Sequence, residues 1–345
     1  LAATSREGMT PAYIAAHQGH FECFEFLLEH GRSSDHSVTA AEAILTKRMW
    51  LNAWLCQVVR EEDGEVALSL VARRGHILDG LCAQLGVDET TGQVLQGTAA
   101  VPLDVRFEGE ASGGDGLRRE WFGYATAEML DPNRGLFLSR DGNRTLQPNP
   151  DSASTAGADH LSYFALLGRI AGLALYHREP LNASWTTAFL KAAFGYEITF
   201  DDLESADPVL HAAQAKLLEM DPEDLDALCL TFVADSDEAI VYDGASKRRR
   251  ETELRPGGAD EPVTAGNVRE YLQLYATHRL VGAIGAQAAA FRDGLGVFLD
   301  DELLSKLRSI CTVAEVQLLL CGTTDIDVGD WQASAQYEPL SFADS

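Results

Sequence analysis

The sequence predicts a mostly helical α+β fold, on three observations. Apolar residues recur at helical spacing over long stretches, most strongly at Leu161, Phe164, Leu167, Ile170 and Leu173. One short run, Leu103 to Phe107, alternates apolar with charged residues at the strand period. Two short helices joined by a Gly19-His20 turn open the chain.

Taken in order, Thr10-Pro11 starts the first helix, where Ala15 and Ala16 are small enough for close packing. The second runs from Phe21 to His30 with Phe24, Leu27 and Leu28 on one face, and Gly31 ends it. Residues 32–38 are polar and turn-rich, which predicts a linker. Thr39 and Glu42 form a capping-box pattern ahead of a helix whose apolar side carries Ile44, Leu45, Met49, Leu51, Leu55 and Val58. Val66 to Leu85 predicts a further helical segment, and Gly86 to Gly97 a loop. After the 103–107 strand comes a glycine-rich loop, Gly109 to Gly116, and a helix with Leu117, Trp121, Phe122, Ala125 and Met129 on one side. The two prolines of Thr145-Leu-Gln-Pro-Asn-Pro150 force an extended path. Asp159 or the residues before it cap the apolar helix that ends near Tyr176-His177, a helix whose composition suits a domain core.

Phe200 to Pro208 predicts two helix starts, with carboxylates favourable at the positive end of the helix dipole. A helix bearing Leu210, Leu217 and Leu218 leads to predicted strands at Leu228–Val233 and Ala239–Tyr242. Lys247-Arg-Arg-Arg250 reads as a solvated hairpin tip rather than an import signal. Val263-Thr264 opens one long helix through Tyr271, Leu274, Tyr275, Leu280, Ile284 and Phe291, closed by Gly294. Val313 to Leu320 is the last helix, stopped by Gly322.

The charge balance limits what the chain binds. Over 345 residues, 53 Asp and Glu stand against 27 Lys and Arg, a formal net charge of -26. Such a chain repels phosphate backbones and anionic membrane surfaces, so no nucleic-acid partner is expected. No uncharged apolar run reaches the roughly 18 residues of a membrane span; the longest candidate is Leu280 to Phe291. The six cysteines form no CxxC pair and no zinc-spaced cluster with histidine; most sit within apolar runs and read as small buried hydrophobes, which suits a reducing compartment, cytoplasmic or nuclear.

No motif of catalysis stands out. The glycine-rich loop lacks the spacing of a phosphate-binding loop, and Glu110 and Asp115 would repel phosphate. His160 and His177 read as packed or capping histidines. Asp325-Ile-Asp-Val-Gly-Asp330 lacks the third ligand, the central glycine and the terminal glutamate of a calcium loop. No GxSxG, HExxH or kinase signature occurs. No metal and no cofactor is expected.

The first forty residues resemble an ankyrin repeat. Thr10, Pro11 and Ala15 match its T-P-L-H-x-A pattern, while Ala12 and Tyr13 depart from Leu-His. About three repeats are needed to bury a continuous face, so further repeats are expected upstream of Leu1. A recognition surface for a protein substrate follows from the resemblance, with a packed capping repeat as the structural alternative.

The rest resembles the N-terminal lobe of HECT-type ubiquitin ligases. The resemblance lies in Phe107-Glu-Gly-Glu, Leu117-Arg-Arg-Glu-Trp-Phe122, Leu146-Gln-Pro-Asn-Pro150 and His160-Leu-Ser-Tyr-Phe164. It continues through Gly168 to His177, Asp202 to Pro208, Leu230-Thr-Phe232 and Glu253-Leu-Arg-Pro-Gly-Gly258. Val263-Thr264, Asn267, Glu270-Tyr271, Gln287, Ala290-Phe291, Leu318-Leu-Leu-Cys-Gly322, Ile326-Asp-Val328 and Asp330-Trp331 complete it, and Leu70 to Arg74 with Ile77-Leu78-Asp79 resemble its opening segment.

The resemblance implies a layout: ankyrin repeat at 1–34, helical linker at 35–65, lobe at 66–331 and the start of a hinge at 332–345. It implies transfer of ubiquitin from a conjugating enzyme, through a cysteine thioester on a second lobe, to substrate lysines. That second lobe and its cysteine are expected beyond Ser345, so no catalytic residue is assigned and the chain alone is not expected to transfer ubiquitin. Cys321 is expected to be a packed helix-end residue. The conjugating enzyme is expected to dock on a small α/β subdomain at about 196–258, in an apolar groove of Leu217, Leu218, Met220, Leu228, Leu230 and Phe232. Phe232→Ala and Leu218→Asp are both expected to weaken docking without unfolding the lobe. Gln214 falls where an apolar groove residue is expected. The alternative function is a non-catalytic protein that holds the conjugating enzyme as scaffold or competitor.

Overall fold

The computed structural model describes residues 10–31, 40–61, 68–88, 103–110, 115–139, 145–243 and 246–322. The predicted linker at 32–38, the Thr39–Glu42 cap, the centre of the glycine-rich loop, the Asp325–Asp330 motif and residues 332–345 fall outside them.

The chain opens with α1 (Pro11–His17) and α2 (Phe21–Gly31). Pro11 sits in the first turn, and the Thr10 hydroxyl accepts from the Tyr13 backbone N–H at 3.2 Å, satisfying one of the donors a helix start leaves over. Gly19, at φ 71, turns the chain in a region closed to most side chains. α1 lies against both α2 and α3 (Ala40–Glu61). Ala15 and Ala16 are buried there, and Phe24 stacks on Trp50 and Phe21 on Trp54, with ring centroids 6.0 and 4.6 Å apart. The other side of α3 grips the remainder of the chain. Lys47 pairs with Glu315 at 2.5 Å, Arg48 donates to the Leu318 carbonyl at 3.1 Å, and Asn52 donates to the Tyr176 carbonyl at 2.9 Å. Gripped on two sides, α3 carries two apolar stripes. The single predicted stripe therefore misses Trp50, which is fully buried, and includes Leu45, which is 51% exposed.

The helix expected over Val66–Leu85 is not there. Leu68–Ala72 is a strand, β1, paired in parallel with β2 (Leu103–Phe107), Leu70 facing Val105. Leu70 and Ala72 point inward while Ser69 and Val71 are exposed. An apolar residue on the outer face hides the strand period, and a parallel partner far along the chain leaves no hairpin signal. Among the described residues of that stretch, only α4 (Leu81–Gln84) is helical.

The main core follows. α5 (Asp115–Met129) buries Trp121, Phe122, Ala125 and Met129 on one side. β3 (Phe137–Ser139) and β4 (Leu146–Pro148) form a short antiparallel pair, then come α6 (Ser152–Thr155) and α7 (His160–His177). α8 (Thr187–Phe194) starts on Thr186, whose hydroxyl accepts from the Phe189 N–H, and ends at Gly195. α7 is buried nearly all round and packs along a later helix, α13 (Gly285–Leu295). Their backbones touch at two glycines. A Cβ on Gly168 would overlap the Phe291 carbonyl, and one on Gly294 the Ala165 carbonyl.

Between α8 and α13 the chain makes a separate small core. α9 (Asp202–Ala206), α10 (Pro208–Ala215), a 3-10 turn at Lys216–Leu218 and α11 (Pro222–Ala227) precede an antiparallel pair, β5 (Val233–Asp243) and β6 (Ser246–Glu253). The two strands expected at 228–233 and 239–242 are thus one strand starting at Val233. Pro222 starts a helix that runs to Ala227, and Thr231 meets only Pro262 in an isolated bridge, which a residue without N–H cannot extend into a ladder. The backbone of Lys247–Arg250 belongs to β6 rather than to the hairpin tip.

The single long helix expected from Val263 is broken. α12 runs Val268–Thr277, a π-helical turn covers His278–Gly282, and α13 begins at Gly285. The break falls where the apolar faces change partner. Val268, Tyr271 and Leu272 of α12 enter the small core, whereas Ala288, Phe291 and Leu295 of α13 enter the main one. α14 (Asp301–Ile310) lies outside the predicted helices, although Leu303, Leu304, Leu307 and Ile310 recur at helical spacing and are buried; it is capped by Asp300, and α15 (Val313–Cys321) starts on a Thr312–Glu315 capping box.

Candidate functional site

The small core is where partly covered apolar groups gather. Leu217, Leu225 and Phe232 pack with Val263, Val268, Tyr271 and Leu272. Phe232 is fully buried, edge-on to Tyr271 at 5.6 Å between centroids, and the Arg255 guanidinium lies 3.9 Å above its ring. Arg255 is held in place by Glu261 and Glu270, whose carboxylates push its pKa above the ordinary arginine value. This cation over an aromatic face closes the core on one side.

The six predicted groove residues therefore divide. Leu217 and Phe232 belong to the interior and Leu230 is half-buried against it, while Leu218, Met220 and Leu228 are 39%, 37% and 46% exposed. The exposed three flank α11, which is short and starts at a proline. Glu219, Asp221, Glu223, Asp224 and Asp226 on the same stretch are all exposed, so the apolar trio sits among carboxylates. Val209, at 80% exposure on α10, is an apolar surface residue that sequence reasoning missed, because α10 as a whole reads as an ordinary amphipathic helix. Gln214 is half-buried, and its side-chain oxygen meets no hydrogen-bond donor among the described residues.

The other candidates resolve into packing. His160 Nδ1 lies 2.8 Å from the Ser152 hydroxyl, and burial lowers its pKa. The His177 ring packs against Phe122 and Tyr176. The Asp202 carboxylate pairs with Lys191 and accepts from the Thr199 N–H, both at 2.6 Å. Cys311 and Cys321 are buried, which pushes both thiols up to about 12, far from the thiolate a nucleophile needs. Among the described residues no three His, Cys, Asp or Glu side chains converge as a metal site, and no helix is long and apolar enough to cross a membrane.

Comparison with known proteins places these features. Residues 124–344 match the HECT-domain (ubiquitin-transferase) family, and residues 7–40 match the ankyrin repeat. Over 235 residues the chain is 38% identical to E3 ubiquitin-protein ligase HACE1 of Xenopus laevis, covering 68% of this chain and 23% of that protein. The HACE1 of Bos taurus is 37% identical over the same length, 68% of this chain and 24% of the relative. E3 ubiquitin-protein ligase NEDD4 of Mus musculus is 36% identical over 239 residues, 68% of this chain and 25% of the relative. The chain thus spans about a quarter of the length of the curated relatives it matches. It belongs to the HECT family of ubiquitin transferases and carries an ankyrin repeat ahead of the HECT region.

Proposed function

We propose that this chain supplies the part of a HECT-type E3 ubiquitin ligase that docks a ubiquitin-conjugating enzyme. The observation that carries this is the exposed trio Leu218, Met220 and Leu228, set beside a small core distinct from the main one. Three large apolar side chains left open on the stretch that flanks α11 fit a protein contact whose centre excludes water. Leu217, Leu225 and Phe232 support that stretch from beneath. In this reading ubiquitin arrives as a thioester on the docked enzyme and passes through a cysteine of the ligase to a substrate lysine. Buried Cys82, Cys311 and Cys321 are unsuited to that step, and in this reading Cys56 and the exposed Cys23 and Cys229 take no part in it: the described residues bind and orient the donor. The subdomain for docking is taken as about 196–258, and the ankyrin repeat is the proposed contact for a protein substrate. Six free thiols suit a reducing compartment, and we place the protein in the cytoplasm or nucleus.

The test is titration of the chain with a panel of ubiquitin-conjugating enzymes. At least one should bind, and Leu218→Asp and Met220→Asp should each weaken it by about tenfold or more, the scale of losing a buried apolar anchor. Binding that ignores both substitutions would remove this stretch from the contact. Phe232→Ala is not a clean test, contrary to the sequence-based expectation, because Phe232 is core rather than surface.

A further inference from the structure

A cleft of about 460 Å³ opens where the N-terminal hairpin meets the rest of the chain. Tyr13 and Ala16 of α1 line it together with Leu45, Met49 and Asn52 of α3 and with Arg178. Leu45 presents an uncovered aliphatic side chain. Arg178 follows α7 in the left-handed region, at φ 59, and donates to the Asn52 side-chain oxygen. Asn52 is itself fixed by its bond to the Tyr176 carbonyl. A guanidinium has five N–H donors, and among the described residues no carboxylate pairs with Arg178.

One turn earlier on α3, Arg48 gives a hydrogen bond to the Leu318 carbonyl and likewise has no carboxylate partner among the described residues. Burial, and then the nearby charge of Arg178, lower its pKa. Two guanidiniums therefore lie in each other's field without a carboxylate partner among the described residues, in a chain with 53 acidic and 27 basic residues. The helix dipoles account for part of this, since the two arginines sit at the carboxyl ends of α7 and α15. They do not account for an open apolar wall beside the charge.

We propose that this cleft binds a segment of a partner protein that carries an Asp or Glu next to an aliphatic residue. The carboxylate pairs with the Arg178 guanidinium, and the aliphatic side chain lies on Leu45 and Met49. A free inorganic anion would leave the apolar wall unused. The net charge of -26 repels an acidic segment at long range, but at physiological salt that field is screened beyond about 8 Å, so the local positive charge governs contact.

The experiment uses the full chain and two fluorescein-labelled hexapeptide pools. One fixes Glu-Leu at its centre and is random elsewhere; the other replaces that Glu with Gln. Fluorescence anisotropy should show the Glu pool binding about tenfold more tightly than the Gln pool, the effect of one charge-assisted contact. Arg178→Gln should erase that difference. If Arg178→Gln does not fold, Leu45→Asp decides, because the substitution is on the surface; it should weaken the Glu pool while the circular-dichroism melt is unchanged. Equal binding of the two pools, or no binding of either, overturns the proposal. So does displacement of the Glu pool by an equal concentration of inorganic phosphate, which would mark a small-anion site. Arg178-dependent self-association in sedimentation, without pool binding, also overturns it and would assign the cleft to a second copy of the chain.

Discussion

The main core and the small core are built on opposite terms. Around α7 and α13 the packing is tight: α7 is buried nearly throughout, α13 buries the face that meets it while Ala286, Ala289 and Asp293 stay exposed, and the two backbones touch at Gly168 and Gly294. Around α11 the core is shallow, seven buried residues closed by an arginine over Phe232, with Leu218, Met220 and Leu228 turned outward. The first region spends its apolar surface on rigidity, and the second leaves some uncovered. In the proposed reading that uncovered part binds, and its scaffold is a different body of side chains.

The largest effect should come from the seam. Gly168→Val forces a branched side chain into the Phe291 carbonyl, where neither backbone can yield cheaply, so the cost should pass the roughly 1–3 kcal/mol of ordinary overpacking and exceed the roughly 3–5 kcal/mol of a deleted core aromatic. Thermal denaturation should show loss of the main transition, and a native-like melt would mean that the helices can slide apart. Phe232→Ala comes next, at roughly 3–5 kcal/mol. Its damage should stay in the small core, so hydrogen exchange should accelerate over Val263–Leu272 and leave α7 protected. Exchange rising equally in α7 would show the two cores to be one cooperative unit.

The Lys47–Glu315 pair offers a test by pH. Burial works to raise the Glu315 pKa, and the hydrogen bond from Lys47, helped by the Thr312 backbone, outweighs it, so the folded value is lowered. A lowered carboxylate pKa contributes stability above the unfolded value of about 4.3, and loses it as pH falls through the folded value. The melting temperature of the wild type should exceed that of Glu315→Gln at neutral pH, with the gap closing as the solution is acidified below the ordinary glutamate range. A gap that persists in strong acid would assign the effect to packing alone. The smallest effect on stability is expected at Leu218→Asp, within about 0.5 kcal/mol as for other surface positions, although it is the substitution that should most damage docking.

Legibility in the sequence follows the same division. Helices that are apolar over many turns, such as α5 and α7, are read correctly because period and length agree. So is β2, whose charged outer face makes the alternation plain. β1 is misread because Val71 on its outer face blurs the period and its partner lies in another part of the chain. The break between α12 and α13 is hidden because both halves are apolar; what changes is the core each half faces, a tertiary fact. In the candidate site the residue types are legible but not their depth. Leu217 and Leu218 are neighbours with the same side chain, yet one is core and the other is surface, and only the 3-10 turn that carries them decides which.

α3 has a mechanical consequence. A flexible tether would let whatever the ankyrin hairpin holds wander through a large volume, and its effective concentration at any point on the lobe would fall with that volume. Here the hairpin and the lobe share one helix of 22 residues, about 33 Å of unbroken rod. Trp50 and Trp54 meet the hairpin, while Lys47, Arg48 and Asn52 hold the lobe. The two sets of contacts interleave over the same two turns of α3, so a molecule bound by the hairpin would be presented at one bearing and one range, set by the width of that helix instead of chance encounter.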